Sequence, residues 1–154
     1  MKKTKVASRA NKSMKYFLSG CRCSEAILLS YGRDFGFGDN TAMKVGCALG
    51  GGLGSAGDLC GAVTSSIIIL GLKYGRVRKD DAAKRKATDR RVKKFLREFQ
   101  ARHGALRCND LIGFDRSSAA GHASAERSGV FETLCPKLVR DAALLLEKIA
   151  ELRS

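Results

Sequence analysis

Between residues 46 and 63 the chain reads GCALGGGLGSAGDLCGAV, seven glycines and two cysteines in eighteen positions. Glycine loses more backbone freedom on ordering than any other residue, so such a run interrupts regular structure. The stretch is expected to be a loop joining two elements. Within it, Gly52-x-Gly54-x-x-Gly57 matches the dinucleotide-binding fingerprint letter for letter. That fingerprint works only between a strand and a helix of a βαβ unit, with an acid ~20 residues further on. A helix follows from Asp58, and Asp80 is at about the right distance. No further strands follow to build a parallel sheet, and Asp58 puts negative charge where a pyrophosphate would lie. A lysine-bearing phosphate loop is absent as well. The glycines are better read as permitting close backbone approach, so that two helices pack with a cysteine at their junction.

The rest of the chain predicts an all-α single compact domain of about five helices around one core. With 154 residues, 44% of them hydrophobic, and a single proline, it can bury a real core. The first helix is expected over residues 24–31 and the second over 40–49, capped by Asp39 or Asn40. The third runs from a cap at Asp58 to about Gly75. The fourth covers about 80–103, with Val92, Phe95, Leu96 and Phe99 on one face and Gly104 as its stop. CNDLIG, residues 108–113, makes a turn or two of helix, and residues 115–129 read as a loop. The last helix begins near Pro136, with Leu138, Ala142, Leu145, Ile149 and Leu152 as its apolar stripe. Residues 1–19 are expected to be a basic, mobile arm, leaving 20–154 as the helical domain.

The formal net charge is +14, and it is unevenly spread. Residues 73–107 hold fourteen Lys and Arg against four acids, and residues 1–20 hold six and none. Such a segment can meet an anionic partner, nucleic acid or an acidic protein, although a solvated helix face has the same composition. Aromatic interleaving is sparse, with only Tyr74, Phe95 and Phe99 in the segment. The longest apolar run falls far short of the ~20 residues of a membrane span. LSGC, residues 18–21, looks like a lipoprotein cleavage box. Only Tyr16-Phe17-Leu18 precedes its cleavage point as an apolar run, against the ~7–15 residues of a secretory core. A cytoplasmic location is therefore expected.

In that compartment the six cysteines, Cys21, Cys23, Cys47, Cys60, Cys108 and Cys135, point to redox or metal chemistry rather than a static disulfide frame. Cys23, Cys60, Cys108 and Cys135 each fall within a residue or two of a predicted helix start. Free N–H groups and the helix dipole stabilise a thiolate there, and the thiolate is the nucleophile and the metal ligand. Cys47 lies inside the second helix instead. No Cys-x-x-Cys pair is present, so neither a zinc pair nor a haem attachment is indicated. His103 and His122 could serve as bases, but a basic helix end and a polar loop place both at the surface.

The order of these residues resembles a known family. A cysteine at the first helix start is followed by a glycine-rich loop and CGAVTS, residues 60–65, running into LGLKYG, residues 70–75. CNDLIGFD, residues 108–115, and FETLCPKLVRDAALLLEKI, residues 131–149, come after a basic helix. This pattern is similar to the C_GCAxxG_C_C family of redox-active proteins over about residues 20–152. The resemblance implies four family cysteines, carried here by Cys23, Cys60, Cys108 and Cys135. Ser65 stands where CGAVTS would place the motif's last glycine. The literal string Gly46-Cys47-Ala48-x-x-Gly51 also fits the family name, which keeps Cys47 as a further candidate.

The expected function is that of a small thiol redox protein cycling between dithiol and disulfide with a partner oxidoreductase. Cys60 is the expected central thiol. The alternatives are a metal ion or iron–sulfur cluster held by the same cysteines, and a basic-patch binding module over residues 73–107.

Overall fold

The computed structural model describes residues 8–154. Among them are nine α-helical segments, α1 (Arg9–Leu18), α2 (Cys23–Tyr31), α3 (Asp39–Leu49), α4 (Gly61–Tyr74), α5 (Ala82–His103), α6 (Cys108–Ile112), α7 (Ala119–Ser128), α8 (Val130–Thr133) and α9 (Cys135–Ala150). No strand occurs among these residues; one isolated antiparallel bridge joins Leu59 to Arg107. The all-α expectation holds, but the count exceeds five. The Gly52–Gly57 fingerprint thus has no sheet beside it among the described residues, in keeping with the reading of the glycines as a packing loop.

Two of the extra helices overturn particular expectations. Residues 9–18 of the predicted arm are helical, and α1 packs along α9 and α2; residues 1–7 lie outside the described residues. The Ser8 hydroxyl caps α1 by accepting from the Asn11 N–H at 3.3 Å. The inner face of α1 is Ala10, Ser13 and Phe17, and the Ser13 hydroxyl meets that of Ser30 at 2.8 Å. Small and polar residues make that face look like loop. In the same way the predicted loop at 115–129 contains α7, whose buried contact is Ala125. A third correction concerns Asp58. It does not cap α4; Cys60 does, with Asp58 two residues upstream in extended chain.

The central layer is α2, α4 and α9, flanked by α1, α3 and α5. Its core holds Ile27, Leu28 and Tyr31 from α2, Val63, Ile69 and Leu70 from α4, Phe95 and Phe99 from α5, and Val139 and Leu146 from α9. Phe95 and Phe99 are buried as the periodicity of α5 predicts, while Lys86, Arg90, Lys93, Lys94 and Arg97 are exposed on its other sides. A second, smaller apolar cluster forms around Cys108, Ile112 and Ala125, with Phe114, Val130, Phe131 and Cys135 against it. No helix among the described residues is long and apolar enough to cross a membrane.

One polar contact ties the central layer together. Tyr31 is fully buried, and its hydroxyl donates to Glu147 Oε1 at 2.6 Å. The Arg9 guanidinium lies 4.6 Å from the centre of the Tyr31 ring and also bonds the Arg153 carbonyl. Removing a donor from a buried acceptor costs more than the bond itself contributes, so Tyr31→Phe should lower stability by about 1–3 kcal/mol. Denaturant unfolding with an unchanged slope checks this; an unmoved midpoint would show that Glu147 does not depend on the bond.

Candidate functional site

Cys23 opens α2, Cys60 is the N-cap of α4, Cys108 opens α6 and Cys135 opens α9. All four line one cavity of about 30 Å³, together with Phe17, Gly51, Arg116 and Leu138. The cavity lies at the seam of the two apolar clusters. Cys23 and Cys60 belong to the larger one, Cys108 and Cys135 to the smaller. All six cysteines are free thiols. Cys47 is exposed on α3 and does not line the cavity.

Short backbone pairings hold the elements in place. The Cys60 N–H donates to the Leu106 carbonyl at 2.9 Å, and the Cys108 N–H to the Asp58 carbonyl at 2.7 Å. The strand-like crossing at Leu59 and Arg107 thus brings the starts of α4 and α6 side by side. Arg22 anchors the glycine loop to α2. Its guanidinium donates to the Cys47 carbonyl at 2.8 Å, the Gly50 carbonyl at 3.2 Å and the Ser55 hydroxyl at 2.7 Å. The Glu25 carboxylate accepts from the Arg22 N–H at 2.7 Å.

Two glycines set the sulfur of Cys23. At Gly61 an added Cβ would stand 2.6 Å from Cys23 Sγ, so only glycine lets α4 start this close to α2. Gly51 has φ +67°, a region that side chains resist, and a Cβ there would sit 3.0 Å from Arg116 Nε. With no side chain in the way, the Gly51 backbone N–H helps to lower the Cys23 thiol. The buried Ser65, standing at the place of the family's glycine, donates its hydroxyl to the Gly61 carbonyl at 2.6 Å.

The electrostatics separate one thiol from the others. Cys23 is pulled well below the ordinary thiol range, first by the neighbouring Cys60 thiol, then by the Gly51 and Ser24 N–H groups and the Arg116 guanidinium, against its own burial. Cys60 is pushed far up because it donates to Cys23 and because it is buried. Burial raises Cys108, with Arg116 pulling the other way. Cys135 is pushed up to about 12 by burial and by the Cys23 and Cys108 sulfurs. The expectation of four thiols acidified by helix starts is thereby corrected. Desolvation in the seam raises Cys108 and Cys135, and one anion disfavours a second beside it. Of the four, Cys23 alone is lowered.

An outer cleft of about 430 Å³ leads to Cys23 from the surface. Phe17, Cys23, Gly51 and Arg116 line both the cleft and the inner cavity, so they form the boundary between them. Arg116 is the residue sequence reasoning missed. It stands alone in the stretch FDRSS, with nothing in periodicity or spacing to mark it. Its N–H is fixed by Asn109 Oδ1 at 2.8 Å, and its guanidinium stacks 4.8 Å from the Phe131 ring centre. His122, expected in a surface loop, lies on α7 with its ring 5.6 Å from Phe131, and it lines the cleft. His103, also expected at the surface, packs its ring 4.6 Å from Phe99. Cys21 lines the cleft further out, and burial together with Glu25 raises its thiol.

A metal ion needs converging donors, commonly four. Among the described residues no group of three or more His, Cys, Asp or Glu side chains is placed to hold one.

The family model described as "Putative redox-active protein (C_GCAxxG_C_C)" matches residues 21–149, and the chain belongs to that family. No curated protein and no solved structure matches the chain.

The fit at Gly61 can be tested through the thiol. Alkylation of reduced protein should stay fast below the ordinary thiol range of about 8.5 and fall only as pH drops through the lowered Cys23 value. In Gly61→Ala that inflection should move up toward the ordinary range. An inflection left in place would mean that Gly61 does not position the sulfur.

Proposed function

We propose that this member of the family is a dithiol redox protein in which Cys23 attacks and Cys60 closes the disulfide. What supports the reading most is the close approach of Cys23 to the start of α4, where Cys60 is the N-cap, together with the lowering of the Cys23 thiol and the raising of the Cys60 thiol. Attack requires a thiolate, and a low-pKa thiolate beside a second thiol is the usual arrangement of a redox pair.

The coupling gives the order of events. Cys23 attacks an oxidised sulfur or oxygen, and its negative charge disappears into the new bond. Cys60 then no longer faces an anion, so the largest influence holding its proton is gone. It ionises, attacks the Cys23 sulfur, and expels the remaining leaving group. Two electrons leave the protein per disulfide formed. A partner dithiol oxidoreductase would return them by exchange at Cys23, the member of the pair that the cleft reaches. Cys108 and Cys135 stay protonated in the seam and supply a second dithiol close to the first.

Single replacements separate the roles. Cys23→Ser should slow reaction with an aromatic disulfide reagent at neutral pH by roughly tenfold or more, since the only favoured thiolate is gone. Cys60→Ser should keep the fast reaction but stop at a stable mixed disulfide on Cys23. Peptide mapping after limited oxidation of the unaltered protein should give the Cys23–Cys60 link first. A first link between Cys108 and Cys135, or a fast phase surviving Cys23→Ser, would contradict the assignment.

A further inference from the structure

Arg116 carries a feature that thiol exchange leaves unexplained. Its Nε is buried and meets no hydrogen-bond acceptor among the described residues. An orphaned buried donor on a charged group costs free energy unless a partner arrives during function. This one lies beside Gly51, whose own N–H helps to lower the Cys23 thiol. The Gly51 and Ser24 N–H groups and the charge of Arg116 all lower this one thiol. Beyond them the cleft is lined by Phe17, Leu18 and Phe131, with the His122 ring against Phe131, and by Arg22, Glu126 and Glu132.

We propose that the oxidant consumed at this site is an organic hydroperoxide, the apolar part lying on Phe17 and Phe131 and the O–O group reaching Cys23 beside Arg116. The inference rests on the Cys23–Cys60 pairing above and names the substrate of that pair. The Cys23 thiolate attacks the terminal oxygen of ROOH. The S–O bond forms, the O–O bond breaks, and the leaving alkoxide takes a proton to become ROH. Cys23 is now a sulfenic acid, two electrons more oxidised. Arg116 Nε supplies the donor for the oxygen now on sulfur. Cys60 attacks the Cys23 sulfur, its own proton leaves with the hydroxyl as water, and the Cys23–Cys60 disulfide remains. Two thiols and ROOH have become one disulfide, ROH and water.

The apolar walls favour this class over hydrogen peroxide, which has no apolar part to bury. The cleft volume falls in the usual range of small-molecule sites, roughly 300–1,000 Å³.

The test is stopped-flow oxidation of the reduced full-length protein by cumene hydroperoxide, hydrogen peroxide and an aromatic disulfide. Cumene hydroperoxide should react about tenfold or more faster than hydrogen peroxide, as expected when one apolar group is buried. In Cys60→Ser, a sulfenic-acid trap should label Cys23. Arg116→Gln should slow the hydroperoxide by roughly tenfold more than it slows the disulfide reagent. That ratio cancels any change in the Cys23 thiolate itself. Equal slowing of both reagents, equal rates for the two peroxides, or no label on Cys23 would each overturn the proposal. Failure of the underlying pair is distinguishable, because then no oxidant, the disulfide reagent included, would produce the Cys23–Cys60 link.

Discussion

Everything at the site depends on one close approach, that of the Cys23 sulfur to the start of α4. Gly61 is the residue that permits it, since any side chain there would occupy the position of the sulfur. The same approach sets Cys23 beside Cys60, and a thiol that donates to a sulfur makes the acceptor the anion. The glycine loop adds the Gly51 N–H from the other side. Backbone geometry, rather than a catalytic base, thus brings the Cys23 and Cys60 thiols together.

The surrounding fold keeps that charge single. Cys108 and Cys135 sit on the smaller apolar cluster across the cavity, where burial raises both. A second thiolate in so small a space would repel the first with little water to screen it. Arg116 is placed to influence all three of Cys23, Cys108 and Cys135. It stands where the open cleft meets the closed cavity, so the exposed reaction and the buried thiols share one cation. The exposed basic side chains of α5 belong to a different part of the molecule and do not enter this electrostatic balance.

The sequence reveals the positions of the chemistry better than its distribution. Four cysteines at helix starts were visible because Pro136 and the flanking breaks mark helix ends independently of the cysteines. Their convergence was consistent with the glycine loop but could not be measured from it. Which thiol ionises was not legible, because it depends on which sulfur meets donors and which meets only apolar neighbours. Asp58 looked like a cap through its residue type; the actual cap is Cys60, because residues 58–60 are drawn into extended pairing with residues 106–108. Helices α1 and α7 escaped notice because Ala10, Ser13 and Ala125 carry little of the apolar periodicity that marks a buried face. Arg116 left no trace at all, since its importance arises only when Phe131 and Gly51 meet around it.

The most direct measurement of the central claim is a pH titration of the reduced protein by NMR, with the cysteine Cβ carbons labelled and assigned. The Cys23 signal should titrate well below the ordinary thiol range, while Cys60, Cys108 and Cys135 titrate above it. Four signals moving together through the ordinary range would contradict the account.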